Sequence, residues 1–166
     1  MDEQSGDAGA RAAAGHACLT IKSVEAADCA FCKIAAGTIP AQIVYEDSDH
    51  VAFLDMHPLF PGHVLLCPRE HYETLLDLPA DLTGPMLAHT QLLARAVETA
   101  LDAEGTFIAV NNKVSQTVPH LHIHIVPRRR RDGLRGFFWP RQKYTDDAAR
   151  EAVRDAIERE VQKLLV

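Results

Sequence analysis

The segment Pro119-His120-Leu121-His122-Ile123-His124-Ile125-Val126-Pro127 carries the densest chemistry in the chain. Read as a strand, it points successive side chains to opposite faces. His120, His122 and His124 then share one face at a spacing of about 6.5–7 Å, twice the rise per residue. Leu121, Ile123 and Ile125 share the other face and are core candidates. A row of imidazoles suits a metal, a proton or a nucleophile better than plain solvation. The bland account is chance placement in a chain that holds nine histidines. Two chemistries compete: alternate histidines can share a metal ion, or one imidazole can attack phosphorus and form a covalent phospho-histidine. The preceding residues favour the second. Ser115, Gln116 and Thr117 offer hydroxyl and amide groups to a phosphate, Asn111 can add another, and His63 stands upstream in Pro61-Gly62-His63.

A second chemical pair is Cys29-x-x-Cys32, which reads as half a zinc site or as a redox pair. The other two cysteines, Cys18 and Cys67, are isolated, so no disulfide framework is expected. A third feature is charge. Arg128 to Lys143 holds seven basic residues and one acid, while the whole chain has a formal charge of −6. A cationic tongue on an acidic body suits a small anionic ligand, and the overall balance argues against a nucleic-acid polymer as partner.

These groups need a scaffold, and 166 residues at 47% hydrophobic and 24% charged can build one domain with a core. No apolar run approaches the roughly 20 residues of a membrane helix. Met1 to Arg11 is acidic and polar, without the basic-then-apolar pattern of a secretory leader, so a cytoplasmic location is expected. Residues 1–28 read as a flexible leader with a short strand at Cys18–Val24. Cys29–Gly37 predicts a short helix. Strands are predicted at Ile43–Tyr45, Val51–Leu54, His63–Cys67, Thr106–Val110 and His120–Val126. Leu82, Met86, Leu93, Val97 and Leu101 mark a long helix over about Asp81–Ala103, closed by Gly105. Thr145 is expected to cap a last helix with an apolar stripe of Ala149, Val153, Ile157, Val161 and Leu165. This order argues for an α+β domain, an antiparallel sheet with helices packed on one face. Residues 29–127 then form the domain and 128–166 a basic, aromatic tail with the C-terminal helix.

His120-Leu-His-Ile-His-Ile-Val126 resembles the signature of the histidine-triad superfamily. The resemblance extends to Cys29-Ala-Phe-Cys-Lys-Ile-Ala-Ala-Gly-Thr-Ile-Pro40, Val51-Ala-Phe-Leu-Asp-Met-His-Pro58 and Pro61-Gly-His-Val-Leu-Leu-Cys-Pro68, in the family's order. Both the fragile-histidine-triad and the histidine-triad nucleotide-binding branches are similar. It implies a five-stranded antiparallel sheet, a homodimer, and hydrolysis or transfer at the α-phosphate of a nucleotide, an adenosine phosphoanhydride or phosphoramidate. By position, His122 would be the nucleophile and His124 would bind the phosphate being transferred, with His120 and Thr117 completing the catalytic set. Gln116 and Thr117 fall at phosphate and leaving-group contacts, Asp55 at the ribose hydroxyls, Asn111 at a ribose or phosphate contact, and His63 at the edge of the site. The resemblance also implies a structural zinc on Cys29, Cys32, His71 and His120. Against the family pattern, no glycine stands between Asn111 and Gln116. A nucleotide-binding module without turnover, and a metal-dependent hydrolase using all three histidines, are the other functions the residues allow.

Overall fold

The computed structural model describes residues 28–134 and 143–165. The chain divides into two compact units, Met1–Asp132 and Gly133–Val166. The strand expected at Cys18–Val24 and the aromatic residues Phe137, Phe138 and Trp139 lie outside the described residues.

The first unit contains a five-stranded sheet: β1 (Ile43–Glu46), β2 (His50–Leu54), β3 (Val64–Pro68), β4 (Gly105–Val110) and β5 (Ile123–Arg128). The spatial order is β1-β2-β3-β5-β4 and every pairing is antiparallel. Two helices flank it, α1 (Ala30–Ala35) and the long α2 (Ala80–Leu101).

The two-residue period of the strands sorts the apolar side chains into two layers. Ala52, Val64, Leu66, Ile123 and Ile125 face α2 and pack with Met86, Leu93, Ala94 and Val97. Val51, Phe53, Leu65 and Cys67 face the other way and pack with Cys29 and Phe31 of the α1 region. The expectation of helices on one face is therefore corrected: short α1 covers the second face, through Phe31. That matters for function, because the histidines of the triad lie on the α1 side. The aliphatic residues between them, Leu121, Ile123 and Ile125, go into the α2 layer as expected.

Two element ends differ from the expectation. Asp102, not Gly105, ends α2, in the left-handed region at φ 51°. Aspartate tolerates that conformation better than most side chains, and Gly105 is thereby free to open β4 opposite Arg128. The histidine-bearing strand also starts late. The ladder of β5 begins at Ile123, because Leu121 N–H donates to the Tyr72 carbonyl at 2.6 Å instead of joining the sheet.

In the second unit, helix α3 (Asp147–Leu164) is capped by Asp146, whose carboxylate accepts the Ala149 N–H at 2.7 Å. Thr145 stands one position too early to do this. The stripe residues Val153, Ile157, Val161 and Leu165 are exposed.

Candidate functional site

The late start of β5 gives the three histidines two different tasks. His120 is fully buried, and its Nε2–H donates to the Pro68 carbonyl at 2.9 Å. That bond fixes the tautomer and leaves Nδ1 bare. Nδ1 lies 3.4 Å from both Cys29 Sγ and Cys32 Sγ, and His71 Nδ1 lies 3.3 Å from Cys32 Sγ. One ligand atom from each of the four residues falls within 4.8 Å of the others. Tetrahedral arms of 2.3 Å to sulfur and 2.0–2.1 Å to nitrogen place such atoms about 3.5 Å apart. The donor set therefore fits a closed zinc site. Burial, together with the neighbouring Cys29 thiol, pushes Cys32 up to about 12. A metal bound there would have to displace the thiol protons.

His122 and His124 serve the other task. His122 Nδ1–H donates to the His120 carbonyl at 2.6 Å, which leaves Nε2 with its lone pair. The ring is nearly buried, held edge-on by Phe31 with centroids 5.2 Å apart, and its centroid is 4.8 Å from that of His124. A chain of bonds links the tautomer of His124 to that of His63. His63 Nδ1 faces the Leu59 N–H and Asp55 Oδ2, each at 3.3 Å; in the tautomer that accepts from Leu59, neutral His63 carries its proton on Nε2. That nitrogen is 3.0 Å from His124 Nδ1, to which it donates. His124 thus carries its own proton on Nε2, a buried atom with no partner. An orphaned donor beside a ring nitrogen with a free lone pair is suited to an anion. Asp55 Oδ2 receives the His63 Nδ1–H in the other tautomer, which turns the His63–His124 bond round.

Burial, with His122 and His63 adding to it, holds His124 down at about 4. Burial likewise lowers His63. Between pH 6.5 and about 4 the unfolded chain therefore binds a proton at His124 that the folded chain does not. Stability should fall as pH drops through that window. We expect a lower urea midpoint at pH 5 than at pH 7.5, with His124→Gln reducing the difference; equal midpoints in the native protein would contradict the buried, neutral ring.

The loop that delivers His63 depends on Gly62. Its φ is +94°, and a Cβ there would run into the side chain of Leu101. Gly62→Ala should cost about 2 kcal/mol or more, from left-handed strain plus overpacking, measurable by urea denaturation.

The other expected site residues are placed as follows. Asp55 caps a turn, accepting the His57 N–H at 2.8 Å on Oδ1. Thr117 lines a cleft with Cys29, His71 and Pro119. The hydrogen bonds of Asn111 and Gln116 run elsewhere: Asn111 Nδ2 donates to the Ser115 carbonyl at 3.3 Å, and Gln116 Nε2 to the Glu73 carbonyl at 2.6 Å. The glycine-free stretch between them holds Lys113 and Ser115 at φ 67° and 61°. The turn is kept by Gln116 Oε1, which accepts the Lys113 N–H at 2.7 Å.

Three described arginines of the basic tongue are paired with acids. Arg128 lies six residues past His122, about 20 Å along an extended chain. Arg128 pairs with Asp132, Arg129 with Asp102 and Arg130 with Glu104. The sequence reading gave Phe31 no role; its position inside the Cys29–Cys32 motif was the available signal.

Comparison with known proteins adds an independent line. A family model described as HIT domain matches residues 36–131. A HIT-like protein of Mycobacterium tuberculosis is 41% identical over 108 residues, 64% of this chain and 75% of that protein. The adenylylsulfatase HINT3 of Arabidopsis thaliana is 38% identical over 109 residues, 64% of this chain and 55% of that one. Among solved structures, a zinc-bound histidine triad family protein from Mycobacterium smegmatis superposes with a TM-score of 0.63 at 35% identity, covering 80% of this chain and 98% of that one.

Proposed function

Because this chain belongs to the HIT-domain family, whose model spans more than half of it, we propose that it is a nucleotide hydrolase or nucleotidyl transferase working through a nucleotidyl-histidine on His122. The observation that carries this reading is the pair of neighbouring rings, His122 with Nδ1 tied to the His120 carbonyl and His124 with a buried Nε2 that has no hydrogen-bond partner. With His63 accepting from Leu59, the lone pair of His122 Nε2 stands beside the unpartnered N–H of His124 Nε2.

The His122 lone pair attacks the α-phosphorus, and the bond from phosphorus to the leaving group breaks with its electrons going to that group. The Nδ1–H bond to the His120 carbonyl stabilises the positive charge that grows on the ring. The His124 N–H is a donor for a non-bridging oxygen, where charge stabilisation counts most. Water then attacks the same phosphorus, the P–N bond breaks, and His122 recovers its lone pair; an alcohol or phosphate in place of water makes the reaction a transfer. Asp55 and Asn111 are assigned to the ribose and Gln116 and Thr117 to the phosphates and leaving group. For Asn111 and Gln116 this requires the bonds they now make in the 111–118 loop to be exchanged for bonds to the substrate.

Cys29, Cys32, His71 and His120 would hold zinc, which would supply a structural clamp. Its effect on the reaction runs through His120, whose carbonyl orients His122. The Mycobacterium smegmatis relative with bound zinc supports this assignment. A homodimer is supported by β4, an edge strand of the sheet, and by a groove beside it lined by Leu87, Ala94 and Ile108. Among the described residues no helix is long and apolar enough to cross a membrane.

The substrate class we assign is an adenosine 5′-phosphate joined to a leaving group by an anhydride or phosphoramidate bond. A panel of diadenosine polyphosphates, adenosine phosphoramidates and adenylyl sulfate tests it; the last compound is suggested by the name of the Arabidopsis relative. Release of AMP from at least one class supports the assignment. Binding to all of them with no turnover would favour a nucleotide-binding module.

A further inference from the structure

Outside the catalytic and cysteine clusters, a third group of metal-ligating side chains is brought together by the fold. Asp47 lies in the turn between β1 and β2, His50 is the first residue of β2, and His89 lies in the middle of α2. His50 Nδ1 is 3.3 Å from Asp47 Oδ1, and His89 Nε2 is 3.1 Å from Asp47 Oδ2. One ligand atom from each falls within 4.8 Å of the other two. On tetrahedral arms of 2.0–2.2 Å, oxygen and nitrogen ligands lie about 3.4 Å apart.

Two observations separate this cluster from a routine ion pair. The His50 side chain is 2% exposed, yet its Nδ1, the nitrogen facing the carboxylate, has no hydrogen-bond partner. Buried nitrogens without partners are rare and call for one. Asp47, in turn, is fixed in place: the Asp49 and His50 N–H groups donate to its Oδ1 and the Tyr45 hydroxyl to its Oδ2. Asp47 and His89 keep side-chain exposures of 27% and 22%, so an ion can enter from solvent.

We propose that Asp47, His50 and His89 form a second divalent metal site, a two-histidine, one-carboxylate set for zinc or a similar first-row ion, with water completing the coordination. The ion ties the β1–β2 turn to α2. It sits at the opposite end of β2 from Asp55, so its role is to join the turn to the helix and not to act on substrate. This inference does not depend on the proposed reaction.

The test is a metal count on the whole chain, stripped with chelator and then dialysed to equilibrium against zinc. The native protein should bind two zinc ions per chain. His89→Ala, a change at a part-exposed helix position, should bind one and weaken the affinity for the other at least tenfold. Cys29→Ser/Cys32→Ser should also keep one ion, and its cobalt form should lack the thiolate-to-cobalt absorption that the native protein shows. Equal zinc content in the native and His89→Ala proteins would overturn the proposal and leave an ordinary Asp47–His89 ion pair. Should the double cysteine variant fail to fold, the His89→Ala comparison alone decides.

Discussion

His122→Ala should lose roughly 10⁴-fold or more in kcat, the scale seen when a covalent nucleophile is removed, while nucleotide affinity changes by less than about tenfold, or 1.4 kcal/mol. The split follows from the geometry. His122 presents one free nitrogen, and its other nitrogen is occupied by the His120 carbonyl at 2.6 Å. Truncation removes the atom that bonds to phosphorus, and no neighbour replaces it. With His63 accepting from Leu59, His124 has its lone pair turned toward His63 and offers a proton instead. The phosphate donor and the ribose-binding candidates are untouched, so binding survives. Measuring kcat and the dissociation constant of a non-hydrolysable analogue on the same preparation checks both halves. A variant with full turnover would remove His122 from the reaction.

The second large effect is expected at the cysteines. Cys32→Ser should abolish the proposed zinc site with Cys29, His71 and His120 and lower stability by about 3 kcal/mol or more, well below the full 10–16 kcal/mol apparent for structural zinc in small domains. For a chain of this size that is a fall in Tm of about 10 °C. Turnover should fall as well, roughly tenfold, as when outer-shell groups are lost. On the proposed zinc site the route is short: the ion would hold the His120 ring, and the His120 carbonyl accepts the proton of His122. The signature is a lower kcat at nearly constant KM. Loss of zinc with unchanged kcat would show that the clamp does not position the nucleophile.

Much of this was legible in the residues. Strand periodicity alone put Leu121, Ile123 and Ile125 in the core and the histidines on the opposite side. The resemblance then supplied the joining of Cys29 and Cys32 to His71 and His120, residues up to 91 positions apart that no local pattern could link. Other features escaped for definable reasons. The division of labour among the three histidines depends on where Leu121 N–H finds its acceptor, and that acceptor, Tyr72, is 49 residues away. The tautomers of His63 and His124 turn on the Leu59 N–H and Asp55 Oδ2 that both face His63 Nδ1, which no sequence pattern reveals. The cluster of Asp47, His50 and His89 depends on α2 crossing the β1–β2 turn. Of the basic tongue, Arg128, Arg129 and Arg130 pair with Asp132, Asp102 and Glu104, while Arg135 and Arg141 lie outside the described residues.

The most direct test of the central claim is the stereochemical course at the α-phosphorus, followed with a substrate made chiral there by sulfur and oxygen isotopes. Each in-line displacement inverts that centre. Attack by His122 and then by water gives two inversions, so the product should show net retention of configuration. Net inversion would mean a single direct attack by water, and the covalent role of His122 would be wrong.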